Sequence, residues 1–245
     1  MINISIIVTT LNSSSVIRNL FDSLEKQTSN NFNVILIDGG SKDDTVEIVK
    51  KYKCLTLLSV KEGLSIYEGI NLGIELCKTK YYVVCGSDDI LFPTAIEILN
   101  NKICDNADLY IFSVYQGEKL VNGNKPTKIN RLLGWQSIIS SHSVGTLIKT
   151  ELHEDLGYYD TGVSILADGL FLTKVFNNHN LHKVVRPEII GKFSISGASY
   201  KNFYNNIFTT FIIQTNYFNF FLQLLILVYR LLKYRNYLKV NNEQY

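Results

Sequence analysis

The sequence contains no cysteine pattern typical of a metal site. Its four cysteines, Cys54, Cys77, Cys85 and Cys104, have neither Cys-x-x-Cys spacing nor a set of histidines nearby. Three of the four lie inside apolar or periodic segments. We therefore expect these cysteines to be reduced and to belong to the core.

The sequence also lacks a dominant charge and a leader segment. It has 24 basic and 22 acidic residues, a net charge of +2, and no basic block before its last few turns, which argues against nucleic acid as a main partner. Residues 1–10 have no basic leader and no small-residue cleavage site, so we expect folding to begin in the cytoplasm. With 245 residues, 46% of them hydrophobic, the chain can bury a core as one domain or as one domain with an appendage.

Short apolar runs alternate with helical patterns in the first part of the chain. The runs predict buried strands, and the helical patterns between them place apolar residues on one helix face. The predicted strands are residues 4–8, 34–37, 55–60 and 81–85, and the predicted helices are residues 16–27, 46–52 and 66–77. This alternation is typical of right-handed βαβ units with a parallel sheet.

Three of these strands end in polar turns, at residues 9–11, 38–40 and 87–89. Because the carboxyl ends of parallel strands meet at one sheet edge, we expect the turns to converge into a pocket for a nucleotide and its metal. Asp88 and Asp89 are adjacent and repel each other, and a divalent cation held by oxygen ligands would relieve that repulsion. The alternative is a turn that caps the helix beginning near Pro93.

Four motifs extend this pattern: ISIIVTTLN at residues 4–12, VILIDGGSKDDT at 34–45, SIYEGINLGI at 65–74 and GSDD at 86–89. In this order and spacing, they resemble the family 2 glycosyltransferases, which have the GT-A fold. The resemblance is greatest to the subgroup that makes bacterial surface polysaccharides. It implies an α/β fold with a Rossmann-like, mostly parallel sheet flanked by helices.

The resemblance also implies roles for individual residues. Asp38 would bind the nucleotide base, and Thr9 and Leu11 would line the base pocket, while Asp88 and Asp89 would hold Mg²⁺ or Mn²⁺. Gly40, Glu68, Asn71, Ser87 and His142 complete the expected donor site. Simpler interpretations remain, since Asp38 could cap a helix, Thr9 could be a turn residue, and Glu68 and Asn71 could be surface and packing positions.

Two positions depart from the family pattern. Many relatives have two aspartates at the second strand end, where this chain has Asp38 followed by Gly39. Many also have Asp-x-Asp where this chain has Gly86, Ser87 and Asp88. We therefore expect fewer protein oxygens on the metal, with the donor's pyrophosphate supplying others.

The middle of the chain has weaker patterns. We predict a strand at residues 108–115, a loop or hairpin rim at 117–128, a short helix from 135–140, a strand following 141–145 and a pair of strands within 181–193. Residues 194–200 resemble the family's glycine-rich closing loop, either a lid over the donor or an ordinary turn.

Asp168 is the expected catalytic base, because residues 165–172 resemble the family segment in which an aspartate precedes an apolar helix. Transfer to a sugar hydroxyl needs a carboxylate to take the proton while the anomeric carbon develops positive charge. With the metal on the leaving group and Asp168 on the opposite face, the reaction would invert the anomeric configuration. The alternative is that Asp168 is a helix N-cap.

No charged residue occurs from 202 to 229, although basic residues follow at Arg230, Lys233, Arg235 and Lys239. The length would permit a transmembrane helix. However, Asn216, Asn219, Gln223 and Arg230 recur at helical spacing and form a polar stripe. We therefore expect an interfacial helix at the cytoplasmic face of the plasma membrane, with packing on the enzyme core or a homo-oligomer contact as alternatives.

The expected organisation is a GT-A domain at residues 1–200 and a helical, membrane-associated tail at 201–245. Residues 1–115 would bind the nucleotide sugar and 116–200 the acceptor. The expected function is metal-dependent, inverting sugar transfer from a nucleoside diphosphate sugar to a glycan or lipid-linked acceptor. The alternatives are a nucleotidyltransferase, although residues 9–15 lack its glycine-rich phosphate loop with Lys or Arg, and a non-catalytic binding module.

Overall fold

The structure is a computed structural model that describes residues 3–163, 166–194 and 203–234. Its strands are β1 Ile4–Thr10, β2 Asn33–Asp38, β3 Leu55–Val60, β4 Tyr81–Gly86, β5 Ile90–Leu91, β6 Leu109–Gln116, β7 Lys119–Val121, β8 Thr146–Lys149 and β9 Lys183–Phe193. Its α-helices are α1 Ile17–Glu25, α2 Thr45–Val49, α3 Ile66–Leu76, α4 Ala95–Lys102, α5 Lys128–Leu133, α6 Leu152–Leu156, α7 Ala167–Asn177, α8 Phe203–Thr215 and α9 Phe220–Lys233. Short 3-10 helices lie at Ile103–Asp105 and Trp135–Ser137.

The described strands form one sheet in the order β3-β2-β1-β4-β8-β6-β9-β5, and β7 pairs with β6. Strands β1 to β4 pair with one another in parallel, as predicted, while β8 is antiparallel to both β4 and β6. In the register, Thr10 is opposite Asp38 and Thr9 is opposite Gly86. The carboxyl ends of β2, β1 and β4 therefore meet at one edge, and the predicted convergence of their turns is confirmed.

Alternate residues of β1 enter two different cores, one on each face of the sheet. Ile6 and Val8 pack on one face with α1, α2 and α4, whereas Ile7 packs on the other face with α3 and α7. A strand buried on both faces has no need for polar alternation, which explains its continuous apolar run. The predicted α/β class, a mostly parallel sheet flanked by helices, is confirmed.

Helix α3 starts at a capping box and lies close against the sheet. The Ser65 hydroxyl accepts from the Glu68 amide at 3.3 Å, and the Glu68 carboxylate accepts from the Ser65 amide at 2.8 Å. A Cβ added at Gly69 would lie 3.0 Å from Cγ2 of Thr9, and one at Gly73 would overlap the Ile7 side chain. These contacts fix where the first turn of α3 projects over the sheet edge.

The second half departs from the prediction in one strand and one helix. Residues 181–193 contain a single strand, β9, where a pair was expected. Its register with β6 jumps from Ile111 opposite Val185 to Ser113 opposite Ile189. Pro187 falls in the interrupted part, where its missing N–H costs no ladder hydrogen bond. The hairpin interpretation of residues 117–128 is confirmed by β7, while Trp135–Ser137 forms only a 3-10 helix.

All four cysteines are free. Cys85 is buried, Cys54 and Cys77 are partly buried, and Cys104 is exposed. The expectation that all of them belong to the core is therefore wrong for Cys104, which lies in the 3-10 helix after α4.

The tail contains two helices, because the chain turns between α8 and α9. Asn216 lies in that turn, and Asn219 caps α9 by accepting from the amides of Phe221 and Leu222. The remaining residues of the expected polar stripe point inward: Gln223 Nε2 donates to the Leu132 carbonyl at 2.9 Å, and Arg230 donates to the Leu133 carbonyl. The prediction that this stripe faces lipid headgroups is wrong.

No helix in the described part of the chain is both long and apolar enough to cross a membrane. The 14 residues of α9 would extend about 21 Å, against about 30 Å of bilayer hydrocarbon. The closing loop expected at 194–200 lies outside the described residues after Ser194, as do Arg235 and Lys239.

Candidate active site

The turn after β2 is built around a buried carboxylate. Oδ1 of Asp38 accepts from the amides of Gly40 at 3.0 Å and Ser41 at 2.7 Å, and Oδ2 accepts from the Ser41 hydroxyl at 2.6 Å. Asp38 has no exposed surface. In this structure its carboxylate holds the turn, and its contact with a base stays a prediction.

Gly40 is required by the backbone of the same turn. Its φ is +93°, and an added Cβ would lie 2.9 Å from the Cα of Glu62. Any other residue would therefore meet both strain and a backbone clash. Gly40 therefore determines the shape of this turn, which is how it could contribute to the expected donor site.

The turn after β1 is tied to the turn after β2. The Asn12 amide donates to the Ser41 hydroxyl at 2.8 Å, and the Asn12 side chain accepts from the Lys42 amide at 2.8 Å. Leu11 is 53% exposed at the opening, and Thr9 is partly buried against α3. Leu11 is thus free to pack on a flat ring, as a base-pocket residue would.

The Asp89 side chain connects the end of β4 to two other segments of the chain. Its Oδ2 accepts from the Gly86 amide at 2.7 Å and from the Ser143 hydroxyl, and its Oδ1 accepts from the Ser194 amide at 3.0 Å. It is 1% exposed, and burial raises its pKa to about 6. Both carboxylate oxygens accept hydrogen bonds from protein donors in this structure, and the expected contact of Asp89 with a metal stays a prediction.

Ser87 and Asp88 are partly exposed in the turn of the same loop. The described residues contain no group of three or more His, Cys, Asp or Glu side chains that could hold a metal ion. Hard divalent cations accept carboxylate and phosphate oxygens together. The donor set here therefore fits a cation held by Asp88 and a phosphate-bearing ligand, and does not fit an all-protein metal site.

Asp168 occupies the second position of α7, inside the helix. The N-cap residue is Leu166, so the interpretation of Asp168 as the cap is wrong. Oδ1 accepts from the Tyr67 hydroxyl at 2.8 Å and from the Gly169 amide at 2.8 Å. The residue is 8% exposed. A carboxylate held this way on one oxygen keeps a fixed orientation for the other.

His142 lies next to that second oxygen. Its Nδ1 is 3.7 Å from Oδ2 of Asp168, and its Nε2 is 3.0 Å from the Tyr159 hydroxyl. Burial lowers the pKa of His142, while the Asp168 carboxylate opposes that shift. The structure thus brings together two of the residues predicted from sequence, although it places His142 beside the expected base and gives it no contact that marks it as a donor ligand.

Glu68 and Asn71 have structural partners. The exposed Glu68 side chain completes the capping box of α3. The Asn71 amide donates to the Tyr159 carbonyl at 2.8 Å and accepts from the Tyr159 amide at 3.0 Å. The structure therefore favours the surface and packing interpretations over donor binding for both residues. Asn71 acts by positioning Tyr159.

Sequence reasoning missed Tyr67 and Tyr159 as site residues. Tyr67 lies in the third motif, at residues 65–74, and Tyr159 lies shortly before Asp168. A hydroxyl-bearing aromatic residue in each of two motif segments was the only available signal. Both rings are buried, and their centroids are 5.8 Å apart.

Comparison with solved structures agrees with this fold. The Staphylococcus aureus TarS 1–349 structure in complex with UDP-GlcNAc has a TM-score of 0.66 and 19% identity, covering 92% of this chain and 70% of that one. Mannosyltransferase PcManGT from Pyrobaculum calidifontis, in complex with GDP-Man and Mn²⁺, has a TM-score of 0.61 and 19% identity, covering 86% and 62%. The likeness confirms the predicted GT-A fold.

Sequence relatives agree as well. An uncharacterized glycosyltransferase of Rickettsia prowazekii is 32% identical over 117 residues, covering 46% of this chain and 36% of the relative. A PGL/p-HBAD biosynthesis glycosyltransferase of Mycobacterium tuberculosis is 31% identical over 94 residues, covering 36% of each. These matches take in about a third of each curated relative's length. The profile of the family described as Glycosyl transferase family 2 matches residues 5–168, and the chain therefore belongs to this family.

Proposed function

We propose that this protein is a metal-dependent, inverting glycosyltransferase that moves a sugar from a nucleoside diphosphate sugar to a lipid-linked or polysaccharide acceptor. The observation that carries the proposal is the buried carboxylate of Asp168, held on Oδ1 by Tyr67 and facing His142 with Oδ2. Family membership and the fold likeness to proteins solved with UDP-GlcNAc and with GDP-Man support a nucleotide-sugar donor. They give no support to the nucleotidyltransferase alternative.

The donor would bind at the edge where β1, β2 and β4 end. Leu11 would pack against the base, and Thr9 and the turn built by Asp38 and Gly40 would shape the pocket. Asp88, with Ser87 beside it, would hold Mg²⁺ or Mn²⁺ together with the donor's phosphates. A bound cation there would neutralise the charge that develops on the departing nucleoside diphosphate.

Asp168 would act as the general base. A carboxylate within reach of the acceptor hydroxyl takes its proton as the oxygen attacks the anomeric carbon from the side opposite the leaving phosphate. Attack from that side inverts the anomeric configuration. The hydrogen bonds from Tyr67 and the Gly169 amide keep the carboxylate oriented, because a general base works only in the correct geometry.

The exposed surface of the tail helices, α8 and α9, supports the proposal of a lipid-linked acceptor. The faces of α8 and α9 that point away from the protein carry large exposed apolar side chains: Phe208, Ile212, Phe220, Phe221, Leu225, Val228, Tyr229 and Leu232. The neighbouring α5 adds Ile129, which is 69% exposed. Because Gln223 and Arg230 bond to α5, these two polar side chains are withdrawn from the outward surface. We propose that it lies in the headgroup region of a membrane and brings the site to a lipid-linked acceptor.

The catalytic proposal is tested with purified protein and a panel of UDP-, GDP- and dTDP-sugars, assayed for donor hydrolysis and transfer with and without Mn²⁺. We expect one donor class to be turned over in a metal-dependent reaction. The Asp168→Asn variant should still bind that donor and lose at least about two orders of magnitude in turnover, because the amide cannot accept a proton. A variant that transfers sugar at the unaltered rate would refute the role of Asp168. Donor binding without turnover in the unchanged protein would instead identify a binding module.

A further inference from the structure

A continuous chain of hydrogen bonds leads from a backbone carbonyl to the proposed base. His153 Nδ1 is 3.1 Å from the Gly157 carbonyl, and His153 Nε2 is 2.7 Å from the Tyr82 hydroxyl. The chain continues through the Tyr159 hydroxyl, 2.9 Å from that of Tyr82, to His142 Nε2. Tyr82, His153 and Tyr159 are each at most 3% exposed, so water does not interrupt the chain.

The direction of every bond in this chain follows from its first member. A carbonyl oxygen can only accept, so Nδ1 of His153 carries a proton. Burial lowers the pKa of His153 to about 4, so the ring is neutral near pH 7 and its Nε2 accepts from Tyr82. Tyr82 has then used its one hydroxyl proton, and Tyr159 must donate to Tyr82. The remaining bond therefore requires that Nε2 of His142 donate to Tyr159.

This constraint determines which nitrogen of His142 faces the carboxylate. A neutral imidazole has one N–H, and His142 has it on Nε2. Its Nδ1 is then unprotonated, and this nitrogen lies 3.7 Å from Oδ2 of Asp168. Burial lowers the pKa of His142 and favours this neutral form. Among the described residues, the ionisable groups that interact with His142 are Asp168, Tyr159 and His153.

We propose that His142 is a proton acceptor behind Asp168, and that the chain from Gly157 through His153, Tyr82 and Tyr159 keeps its Nδ1 bare for this purpose. The inference rests on the proposed function of Asp168. As the acceptor oxygen bonds to the anomeric carbon, its O–H bond breaks and the proton passes to Asp168 and then to Nδ1 of His142. The bond from the anomeric carbon to phosphate breaks, and its electron pair leaves with the nucleoside diphosphate.

A lone pair beside a carboxylate has two consequences for the base. It places no N–H of His142 against Oδ2 of Asp168, so this oxygen stays available to the acceptor hydroxyl. It also offers a second site that becomes attractive once the proton has arrived, because an imidazolium beside a carboxylate is stabilised. His142 with its proton on Nδ1 would do the opposite, since its N–H would point at Oδ2 and compete with the acceptor hydroxyl for that oxygen.

The tautomer can be measured directly on the full ¹⁵N-labelled chain, which has four histidines. Two-bond ¹H–¹⁵N spectra at about pH 7 distinguish Nε2–H, Nδ1–H and doubly protonated rings, and loss of signals in His142→Gln assigns the ring. We expect Nε2–H for His142 in the unchanged protein. An Nδ1–H or doubly protonated ring would overturn the proposal, whatever the activity assay gives.

Tyr82→Phe tests the chain at a distance from His142. Without the Tyr82 hydroxyl, Tyr159 can turn and donate to Nε2 of His142, so we expect the proton to move to Nδ1 and turnover to fall at least about tenfold. Tyr159→Phe should change the tautomer in the same direction. The matched control is Tyr81→Phe, because the Tyr81 hydroxyl donates to the Ala107 carbonyl at 2.9 Å and has no link to His142.

The outcomes separate this inference from the proposed function. A tautomer change in Tyr82→Phe without loss of turnover would overturn the proton-acceptor role of His142. An unchanged tautomer in both Tyr82→Phe and Tyr159→Phe would overturn the directing chain. An Asp168→Asn variant that keeps full turnover would refute the base instead, and would leave the measured tautomer of His142 as it is.

Discussion

The hydroxyl of Tyr67 on α3 donates a 2.8 Å hydrogen bond to Oδ1 of Asp168 on α7, across 101 residues of sequence. The two helices that carry the pair lie on the same face of the sheet. Burial, followed by the Asp168 charge, raises the pKa of Tyr67 well above its usual range, so its hydroxyl stays protonated and able to donate. The orientation of the proposed base therefore depends on a side chain that lies far from it in the sequence.

Tyr67→Phe should lower turnover and leave donor affinity unchanged. The loss of a hydrogen bond to a charged group, worth about 1.5–3 kcal/mol, frees the carboxylate to rotate away from the acceptor. The measurement is kcat and KM for the donor in steady state. Tyr110→Phe, another buried tyrosine of the sheet that lies outside the site, provides the control. A rise in donor KM with kcat intact would place Tyr67 at the donor and contradict this role.

Asp88→Ala and Asp89→Ala should fail in different ways. Removal of Asp88 takes away the proposed metal ligand, so we expect metal-dependent donor binding to be lost in calorimetry while the melting temperature is retained. Removal of Asp89 deletes the buried acceptor shared by the Gly86 amide, the Ser143 hydroxyl and the Ser194 amide, so we expect a lower melting temperature. Loss of metal binding in a fully stable Asp89→Ala protein would return Asp89 to the metal.

Glu68→Ala should affect stability and not donor binding. Because the Glu68 side chain closes the capping box of α3, its loss should lower the free energy of unfolding. Ser65→Ala removes the other half of the box and is the matched variant. Denaturant unfolding and donor titration check both proteins. Weaker donor binding in Glu68→Ala alone would restore the role expected from sequence.

The exposed face of α9 should bind anionic vesicles. Phe221 and Leu225 are 71% and 68% exposed, so their joint replacement by Glu removes apolar burial and adds repulsion from the lipid. In a flotation experiment, we expect the unchanged protein to move with the vesicles and the double variant to stay in the dense fraction. Val60→Glu, at an exposed residue of β3, is the control and should still float. High salt should weaken binding only in part, since the apolar contribution is not screened.

Two results would reject membrane binding by α9. One is an unchanged protein that ignores vesicles and needs no detergent. The other is self-association through this face, which ultracentrifugation would detect as an oligomer of the unchanged protein and a monomer of the double variant. The second result would identify a homo-oligomer contact.

Acid should destabilise the protein through His153. Burial lowers the pKa of His153 from 6.5 to about 4 in the folded chain, so the unfolded chain binds the proton more readily between these values. The contribution of His153 to the free energy of unfolding should therefore be constant above pH 6.5 and fall by up to about 3 kcal/mol as the pH is lowered to 4. Asp89, whose pKa is raised to about 6, contributes in the opposite direction below that pH, so the His153 contribution is measured as the difference from a variant without this histidine. Denaturant titrations across this range measure the effect.

His153→Gln should flatten this part of the pH profile, because the side chain no longer titrates. His179→Gln, at an exposed histidine, should keep the profile of the unchanged protein. Equal slopes for His153→Gln and the unchanged protein would show that the acid sensitivity arises elsewhere.

The parallel half of the fold was predictable because each of its strands is a continuous apolar run between polar turns. Residues 34–37 and 81–85 show this pattern in the sequence itself. β9 was not predictable as one strand, since Pro187 divides its pattern and only the pairing with β6 reveals the interruption as a bulge. The sequence predicted one tail helix instead of two, because the turn at Asn216 contains neither Gly nor Pro to mark the break.

The site was predictable in its carboxylates and not in their partners. Asp168 and His142 follow from motifs, but the hydroxyls of Tyr67 and Tyr159 reach them only after α3 and α7 dock on the same face. Asp38 and Asp89 show contacts that the sequence does not reveal, because each accepts hydrogen bonds from its own turn or from neighbouring loops. A sequence gives the position of a carboxylate at a strand end, whereas its hydrogen-bond donors decide whether it faces a ligand or holds a turn.

The two glycines of α3 set the spacing of the proposed active site. Because Gly69 and Gly73 have no Cβ, α3 packs closely against β1. At this distance from the sheet, Tyr67 contacts Asp168 and Asn71 contacts Tyr159. One methyl group at Gly73 would lift the helix off Ile7, and the whole first turn would rise with it. The position of Tyr67 beside the proposed base thus depends on how closely α3 packs against β1, at a contact between helix and sheet.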